Sequence, residues 1–283
     1  YLDDALVEGN IIDGPGIAAG ILALDESSDL TVRRNWVTDH DGGINLVGDS
    51  SIGGTGLFVG ALIENNIVDL TGRSVGSGLS LWGVQNALVR NNLLFGLPRY
   101  GITLGTGLAG GASTGNRLLN NTVVVLAGGQ WALYTGEAAT GTVLHNNILL
   151  NDSTRGSIAM ESDSLPGLDS DRNLVVDRFS TNGGSTIIDL GAWRTATGMD
   201  ESSALGTPGA TFLAPGAGDY HLHEASPAVD AGLTLIDVPT DLEGFARPYG
   251  PAFDLGAFEW SNVIFNDGFE VFGGARWSVS IGL

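Results

Sequence analysis

The sequence predicts an all-β chain wound into a solenoid, and three observations lead to this prediction. A short motif recurs at a nearly constant interval, apolar residues alternate with other residues inside short runs, and glycines bound those runs, with 44 glycines among 283 residues. No segment shows the sustained 3.6-residue apolar stripe of an amphipathic helix. Short strands joined by tight turns at a fixed period are typical of a coil of parallel strands. Each turn of such a coil, a rung, stacks about 4.8 Å from the next.

The recurring motif places asparagine between apolar runs, as in TVLHNNILLN over residues 142–151. Seven copies align on a shared asparagine, with a period of roughly 27 residues. Because asparagine tolerates left-handed backbone angles, it suits a tight corner between strands. Stacked amides also donate and accept hydrogen bonds along a column. We therefore expect turn and ladder residues, without a catalytic role, at Asn10, Asn35, Asn66, Asn92, Asn121, Asn147 and Asn173.

Each unit carries a second apolar run, such as GINLVG, GLSLWG, GITLGT, WALYTG and SIAMES, which predicts a second strand. Alternate residues of a strand face opposite sides, so one set faces the core and the other faces solvent. The inward pairs of the alignment are Ile44 and Leu46, Leu79 and Leu81, Ile102 and Leu104, Trp131 and Leu133, and Ile158 and Met160. One outward column contains Asp25, Val47, Trp82, Gly105, Tyr134 and Glu161, and its neighbour contains Ala23, Asn45, Ser80, Thr103, Ala132 and Ala159.

These outward columns predict a shallow shelf for substrate. Exposed rings beside small, mostly polar residues suit the stacking of a sugar ring, since Trp and Tyr present an apolar body with a polar tip. We expect substrate contacts from Asn45, Trp82, Thr103, Tyr134 and Glu161. The alternative is that the two rings pack beneath a long loop.

The repeats resemble those of right-handed parallel β-helix proteins, the pectate-lyase-like superfamily of secreted bacterial proteins, over residues 1 to about 190. DGFEVFGGARWS (267–278) is similar to a short tail found on secreted bacterial proteins. Other motifs resemble the C-terminal segment that many such proteins carry: Trp193, Gly198 and Asp200 in a W…G.D pattern, DYHL (219–222), SPAVDAG (226–232), DLEGFARP (241–248) and DLGAFE (254–259). The resemblance implies an architecture without fixing a reaction, because the group includes lyases, hydrolases, epimerases and proteins without known activity.

The pattern predicts three regions. Residues 1–190 form about seven β-helix rungs, residues 191–260 form an irregular region that covers the last rung, and residues 261–283 form a strand or tail. The chain begins nine residues before the first ladder asparagine and has no capping element there. We therefore expect missing upstream sequence and a bare first rung whose edge can pair with another chain.

The negative net charge disfavours several classes of binding partner. The chain has 32 acidic residues against 12 basic ones, all of them arginine, for a net charge of −20. This balance disfavours nucleic acid and anionic lipid, and it disfavours a polyanionic substrate unless Ca²⁺ bridges the two. No window approaches the roughly 18 apolar residues of a membrane span, so we expect no membrane insertion. An acidic surface without lysine favours a secreted protein, in the extracellular space or on the surface of a bacterium.

Of all the turns in the chain, TDHDGG is the one whose residues point most clearly to a catalytic function. It places Asp39, His40 and Asp41 directly before strand 43–48, and later turns carry Arg73, Arg99 with Tyr100, and Arg155. We expect catalytic roles for Asp39, His40, Asp41, Arg99 and Tyr100, and substrate contacts from Arg73 and Arg155. Two carboxylates flanking a glycosidic bond would serve hydrolysis. An Arg or Tyr that takes a proton beside a uronate, with Asp-bound Ca²⁺, would serve a lyase.

The alternative for this turn is structural, because Asp and His are favoured in turns and surface Arg pairs with carboxylates. Two departures from the resembling enzymes also bear on the activity. The lyases use Lys or Arg and this chain has no Lys, while DHDGG matches the double-aspartate turn of the pectin hydrolases only loosely. Whether the chain is an enzyme therefore stays open; if it is, it is a polysaccharide lyase or a glycoside hydrolase.

One segment resembles a calcium loop. DSDRN (169–173) begins like such a loop, but Leu174 replaces its glycine and Ser180 replaces its bidentate glutamate. The candidate Ca²⁺ ligands are Asp163, Asp169 and Asp171, and the alternative is that the chain has no cofactor.

Two functions follow from the sequence. The first is an extracellular carbohydrate-active or carbohydrate-binding protein that holds a polysaccharide along the exposed rung face. The second is a non-catalytic structural, adhesive or filament-forming surface module whose copies associate end to end.

Overall fold

The computed structural model describes residues 3–51 and 53–261. It is an all-β parallel solenoid of about eight turns, which confirms the predicted fold class. Among the described residues, no helix has the length and apolar character needed to cross a membrane.

Short strands make up most of the described chain. They are β1 Leu6–Glu8, β2 Ile11–Asp25, β3 Ser27–Ser28, β4 Thr31–Arg33, β5 Trp36–Gly48, β6 Phe58–Val59, β7 Leu62–Glu64, β8 Ile67–Asp69, β9 Leu79–Trp82, β10 Val84–Gln85, β11 Leu88–Arg90, β12 Leu93–Leu97, β13 Ile102–Gly105, β14 Arg117–Leu119, β15 Thr122–Val125, β16 Trp131–Thr135, β17 Val143–His145, β18 Ile148–Asn151, β19 Gly156–Met160, β20 Asp169–Asp171, β21 Leu174–Val175, β22 Phe179–Ser180, β23 Ala204–Leu205, β24 Phe212–Ala214 and β25 Asp219–Leu222. Helix α1 spans Leu190–Thr197, helix α2 spans Pro208–Thr211, and a 3₁₀ turn spans Pro215–Ala217.

The strands stack in parallel columns. One seven-stranded sheet has the order β1-β4-β7-β11-β14-β17-β20, so each rung contributes one strand to it. A thirteen-stranded sheet has two arms that meet at the long strand β5, whose start pairs with β8 and whose end pairs with β9. The strand β23 extends this sheet by pairing with β21. One solenoid strand therefore lies inside the region predicted as an irregular cover over residues 191–260.

The core lies inside the coil, where inward residues of successive rungs stack on one another. In the second strand of each rung the fully buried column is Ile44, Leu79, Ile102, Leu133 and Ile158. The alternation of inward and outward residues predicted this column, apart from the position of Leu133.

The predicted register of the WALYT strand is wrong by two residues. The structure pairs Thr103 with Tyr134 and Leu104 with Thr135, so Tyr134 lies in the column of Thr103 and not in that of Trp82. Trp131 lies opposite Gly156, ahead of the column that it was expected to join. The alternation has a period of two, so a shift of two residues leaves the inward and outward faces unchanged and cannot be detected from the pattern.

The predicted alignment of the first rung is also wrong, by one residue. Leu22 pairs with Asn45 and Leu24 with Val47, where the alignment had placed Ala23 and Asp25. The pairing of β2 with β5 is irregular between Asp13 and Ala19. Such irregularities change the number of residues between paired positions, so counting along the sequence fails there.

The asparagine ladder is confirmed. The side-chain amide Nδ2 of each ladder residue donates to Oδ1 of the next, at 2.8–3.1 Å along the whole column. Each backbone N–H also donates to the same oxygen, as Asn92 N does to Asn121 Oδ1 at 3.1 Å. All ladder positions after Asn10 are buried. The column thus satisfies buried polar groups at one corner of each rung.

Where a second asparagine precedes the ladder asparagine, that first asparagine has a separate role. Asn65, Asn91, Asn120 and Asn146 have positive φ angles, between 51° and 59°, and turn the chain. Their side chains donate outward to backbone carbonyls of the C-terminal region, as from Asn91 Nδ2 to Thr240 O at 2.7 Å. In each NN pair, therefore, the first residue binds the C-terminal region and the second forms the ladder.

The expectation that this region covers the last rung is only partly correct, because most of it lies along the side of the solenoid. Phe212, Tyr220 and Leu255 pack with outward residues of several rungs, including Leu93 and Ile148. Outward positions on those rungs are apolar, so a lateral cover removes their surface from water.

Helix α1 closes the last rung. Trp193 stacks on Phe179 with ring centroids 5.2 Å apart, and its indole Nε1 donates to Asp200 Oδ2 at 2.8 Å. Asp200 Oδ1 accepts from Asn173 Nδ2 at 3.0 Å, so this carboxylate ends the ladder. Gly198, with φ 72°, ends the helix in the left-handed conformation that a C-terminal cap requires. The W…G.D motif is therefore an end cap for the coil.

The remaining C-terminal motifs form a buried ionic cluster. The guanidinium of Arg247 is fully buried, pairs with Glu259 and donates to the Gly256 carbonyl at 2.8 Å. Burial raises the pKa of Asp241 and of Asp254 to about 6, against the lowering effects of backbone N–H donors and of the arginine charge. The predicted strand or tail over residues 261–283 lies outside the described residues after Ser261.

Candidate functional site

The structure divides the predicted site residues into two main groups. The first, which we call the ion-pair turn, consists of Asp39, His40, Asp41 and Arg73. The prediction that the first three precede a strand is wrong, because they lie within β5, where Asp39 has φ 57°. The second, the aromatic shelf, consists of Trp82, Tyr100, Thr103, Tyr134 and Glu161. The two groups differ in what their polar atoms contact.

In the ion-pair turn, one guanidinium holds both aspartates. Arg73 donates from Nη1 to Asp39 Oδ1 at 3.0 Å and from Nε to Asp41 Oδ1 at 3.1 Å. Its Nη2 donates to the Gly16 carbonyl at 3.2 Å as well as to Asp41. The hydrogen bonding that Arg73 donates to Asp41 has the largest effect among the interactions that raise the pKa of Arg73. Both carboxylates thus act as acceptors for an arginine of the next rung.

The imidazole of His40 is held by its surroundings. Its Nδ1 lies 2.8 Å from the carbonyl oxygen of Thr38, which requires a proton on that nitrogen. The ring packs over Gly16, where an added Cβ would lie 2.6 Å from Nε2. This glycine lets the ring lie against the backbone of the first rung. The contacts favour a packing role for His40.

The aromatic shelf begins with Trp82, at the end of β9. The side chain is 40% exposed, and its Nε1 donates to Thr103 Oγ1 of the next rung at 3.3 Å. Gly105 pairs with Trp82 in the register, and a Cβ there would lie 3.5 Å from the indole Cδ1. The ring is therefore held in a fixed orientation with a large part of its surface in water.

Two rungs from Trp82, Tyr134 continues the shelf. Its hydroxyl donates to Glu161 Oε1 at 2.5 Å, and its ring lies 5.5 Å from the ring of Tyr100, centroid to centroid. Burial, and then the hydrogen bond to Glu161, raise the pKa of Tyr134. The Arg99 guanidinium carbon lies 5.9 Å from the Tyr100 ring centroid. These contacts connect four predicted site residues in one array.

The sequence pattern missed one residue of this region, Glu137. Glu161 Oε2 accepts from the Glu137 backbone N at 3.0 Å, and Glu137 Oε2 accepts from the Thr106 backbone N at 2.9 Å. Glu137 follows a glycine and has φ 56°, so it lies in a turn where strand alternation makes no prediction. Its exposed carboxylate adds an acceptor at the edge of the shelf.

Two predicted contacts remain: Asn45 lies in its predicted column, and Arg155 lies apart from both groups. Asn45 pairs with Ser80 in the column that leads to Thr103, and its side-chain Oδ1 is buried without a hydrogen-bond partner in the described part of the chain. Arg155 donates from Nη1 to the Gly184 carbonyl at 3.4 Å, and its own carbonyl accepts from Arg178 Nε. Arg155 therefore joins the last two rungs.

The candidate calcium ligands do not form a metal site. Asp169 Oδ1 lies 3.0 Å from His145 Nε2, Asp171 accepts from the Ser202 backbone N at 2.7 Å, and Asp163 is exposed. Within residues 3–51 and 53–261, no group of three or more His, Asp or Glu side chains is arranged to hold a metal ion. Separate partners hold Asp169 and Asp171, so the sequence spacing does not bring the three carboxylates onto one centre.

Comparison with protein families gives a match. The model of a family described as "Periplasmic copper-binding protein (NosD)" matches residues 1–165, more than half of the 283 residues. No curated protein sequence matches the chain. The periplasmic description of the family fits the expected location outside the cytoplasm, and the match covers the rungs that carry both the ion-pair turn and the aromatic shelf through Glu161. The chain is therefore a β-helix repeat protein that belongs to the NosD family.

Proposed function

We propose that the chain is an extracytoplasmic carbohydrate-binding protein and that a neutral polysaccharide lies across the aromatic shelf. The observation that carries this proposal is the exposed indole of Trp82, fixed by Thr103 and followed two rungs later by the Tyr134–Glu161 pair. A rigid ring beside fixed polar atoms suits the apolar face and the hydroxyl groups of a sugar.

The spacing of the shelf suits an extended ligand. Trp82 and Tyr134 are separated by two rung steps, about 9.6 Å at the usual strand spacing. They are also offset by two residues along the strand, about 6.7 Å. A ligand that contacts both rings therefore crosses the rungs diagonally and is longer than a single sugar ring. A polysaccharide meets this requirement and a monosaccharide does not.

The charge of the shelf favours a neutral sugar. Glu161 and Glu137 place carboxylate oxygens at one side, where they accept hydrogen bonds from sugar hydroxyls. The net charge of −20 repels polyanions, and Arg99 is the one cation in contact with the shelf rings among the described residues. A Ca²⁺-bridged uronate would need a cation site, and the described acidic residues do not form one.

The geometry favours binding over cleavage. The two carboxylates expected to act as acid and base are hydrogen-bonded to Arg73, and His40 is held by packing. A tyrosine whose pKa is raised stays protonated near neutral pH, so Tyr134 is unsuited to remove a proton from a uronate. These contacts support a ligand-holding role for the shelf.

Copper is implied by the family's description, and the residues present do not fit it. Copper sites use imidazole, thiolate and thioether donors. The chain has no cysteine, and both methionines pack with the apolar core. The four histidines do not converge: His145 pairs with Asp169, His221 lies between Asp219 and Glu243, His40 packs on Gly16, and His223 Nδ1 accepts from a backbone N–H. No step of the proposed function passes through a metal.

The proposal also covers the location of the protein outside the cell and its structural relatives. We infer a protein secreted by a bacterium, with the pectate-lyase-like group as its structural relatives, on the strength of the C-terminal motifs and the acidic, lysine-free composition. A polysaccharide outside the cell is the ligand that this location offers.

The test is a screen of neutral and acidic polysaccharides with the wild-type chain, with and without Ca²⁺. Binding is followed by affinity electrophoresis, and cleavage by new reducing ends and by the ultraviolet absorbance of unsaturated products. The expected result is retention by a neutral glycan, independent of Ca²⁺ and without cleavage. New reducing ends that disappear in an Asp41→Asn variant would overturn the binding-only assignment, and absence of retention across the panel would overturn the proposal.

A further inference from the structure

The C-terminal region contains a cavity of about 170 Å³ that is separate from the aromatic shelf. Three of the conserved-looking motifs of this region, or the residues that directly follow them, supply its walls. SPAVDAG provides Val229 and Asp230, the segment after DLEGFARP provides residues 249–251, and DLGAFE with the residue after it provides Asp254 and Trp260. A cavity of about 150 Å³ holds a benzene molecule, so this one holds a small organic group.

Two carboxylates line the cavity, and they differ in how their oxygens are used. Asp254 is 2% exposed, and its oxygens accept from the backbone N of Asp230 at 2.6 Å and from that of Trp260. Asp230 is exposed, and its Oδ1 accepts from the backbone N of Ala252 at 3.1 Å. Its Oδ2 has no donor among the described residues. Asp230 therefore keeps one carboxylate oxygen for a ligand.

The wall beside this carboxylate is backbone and aromatic side chain. A Cβ at Gly250 would lie 2.4 Å from Asp230 Oδ1, so only a glycine lets the chain pass this close to the carboxylate. The preceding Tyr249 is 45% exposed, and Trp260 packs partly against the apolar cluster of the C-terminal region. Aromatic rings attract cations through the negative potential of their faces. The lining thus combines an available carboxylate oxygen with two rings that suit a cation.

The charges buried behind the cavity do not balance. Asp241, Asp254 and Glu259 are 0%, 2% and 8% exposed, and the buried cation among the described residues is Arg247. Three carboxylates against one guanidinium leave an excess of two negative charges. Burial raises the pKa of Asp241 and of Asp254 to about 6, so both are largely ionised at pH 7. Because buried charges are normally paired, this excess favours a bound cation next to Asp254.

The arginines near the cavity have other partners. Arg247 pairs with Glu259 and donates to the carbonyl of Gly256 at 2.8 Å. Arg172 donates to the carbonyl of Ala231 at 3.1 Å, and it forms no ion pair with a carboxylate in the described part of the chain. A cation in the cavity would therefore come from another molecule.

The lining favours a guanidinium over other cations. Ca²⁺ takes six to eight oxygen ligands, and within residues 3–51 and 53–261 no group of three or more His, Asp or Glu is arranged to hold a metal ion. A guanidinium is planar, more weakly hydrated than an ammonium, stacks on aromatic rings and matches carboxylate geometry. It therefore loses less hydration on entering a partly enclosed cavity. The volume suits the head of an arginine side chain while its backbone stays outside.

We propose that this cavity binds an arginine side chain of a partner peptide or protein. The guanidinium donates to Asp230 Oδ2 and lies against Tyr249 and Trp260. Asp254 contributes negative charge from the buried side, with both oxygens already held by backbone donors. This site shares no residue with the aromatic shelf, so its occupation does not depend on the carbohydrate.

The test is isothermal titration of the full chain with N-acetyl-arginine methylamide at physiological ionic strength. The matched probes are the citrulline analogue, which has nearly the same shape without the charge, and the lysine analogue. We expect saturable one-to-one binding of the arginine probe, and binding at least tenfold weaker for each of the other two. Added Ca²⁺ should not displace the arginine probe beyond the effect of equal ionic strength.

Two variants locate the binding on the chain. Asp230→Asn keeps an acceptor for the Ala252 backbone N but removes the charge, and it should weaken binding of the arginine probe at least tenfold. Glu224→Gln, which removes an exposed carboxylate outside the cavity lining, is the control and should bind like wild type. Circular dichroism shows whether each variant is folded, and the three probes on the wild-type chain decide the question even if Asp230→Asn unfolds.

Three results would overturn the proposal. They are the absence of saturable binding of the arginine probe, equal affinity for the citrulline probe, and unchanged affinity in a folded Asp230→Asn chain. Displacement of the probe by stoichiometric Ca²⁺ would also overturn it and would assign the cavity to a metal ion instead.

Discussion

Replacing a buried ladder residue in the middle of the coil should destabilise the protein far more than replacing the exposed Asn10. The Asn121 side chain makes five hydrogen bonds. It donates to Asn147 Oδ1 at 3.0 Å and to the carbonyls of Val89 and Leu119 at 2.9 and 3.2 Å. It accepts from the backbone N and the Nδ2 of Asn92 at 3.1 and 2.9 Å.

In Asn121→Ala, the buried backbone N–H of Asn92 loses the acceptor that Asn121 Oδ1 provides. A buried polar group left without a partner costs about 1–3 kcal/mol and each further hydrogen bond lost costs about 0.5–1.5 kcal/mol, so we expect a loss of about 3 kcal/mol in the free energy of unfolding. Asn10→Ala removes one ladder bond at an exposed position, and we expect a loss below about 1 kcal/mol.

The assay is urea denaturation of both variants and the wild type, followed by circular dichroism. The difference between the two variants is the informative quantity, because it compares the same substitution at two places in one column. Losses that agree within about 1 kcal/mol would refute the claim that the buried ladder stabilises each rung.

Three further predictions follow from individual contacts. Trp193→Phe keeps the stacked ring but removes the indole donor to the Asp200 carboxylate. Thermal and urea unfolding should show a loss of about 1.5–3 kcal/mol in the free energy of unfolding. An unchanged stability would contradict the end-cap role. Burial lowers the pKa of His221, but the hydrogen bonds and charges of Asp219 and Glu243 outweigh it and raise the pKa to about 10. The charged form therefore stabilises the fold fully below pH 6.5, and this stability is lost as pH rises through 10. In pH-dependent denaturation, His221→Gln should be less stable than wild type at pH 7 and should converge with it above pH 10. Gly101→Ala places a Cβ 2.2 Å from the carbonyl oxygen of Ala132, so poor folding is expected in expression and melting assays, and a wild-type melting temperature would show that the rungs tolerate displacement.

Much of the fold could be predicted from the sequence because each rung repeats the same physical demands. The ladder positions and the alternation of the core column follow from local backbone and burial requirements, and they hold at Asn66, Asn92 and Asn121. The role of the first asparagine in each NN pair could not be predicted, because its partners lie more than 80 residues away in the C-terminal region. The lateral position of that region depends on the same distant contacts.

The site could be predicted only in part. Trp82, Thr103, Tyr134 and Glu161 do lie on one face, since outward positions share the same side of the coil. The placement of Tyr134 failed because alternation is blind to a shift of two residues. The turn carboxylates were expected to face substrate or to pair with arginine, and the sequence pattern could not decide between these alternatives before the structure showed the pairing with Arg73.

The most direct test of the carbohydrate-binding claim is isothermal titration of the glycan retained in the screen against Trp82→Ala, Tyr134→Phe and a control, Leu213→Ala, which alters an exposed apolar residue of β24 outside the shelf. We expect Trp82→Ala to weaken binding at least tenfold, a loss of about 1.4 kcal/mol, and Tyr134→Phe to weaken it less, while the control binds like wild type. Unchanged affinity in Trp82→Ala, with the chain folded, would contradict the assignment of the aromatic shelf as the ligand site.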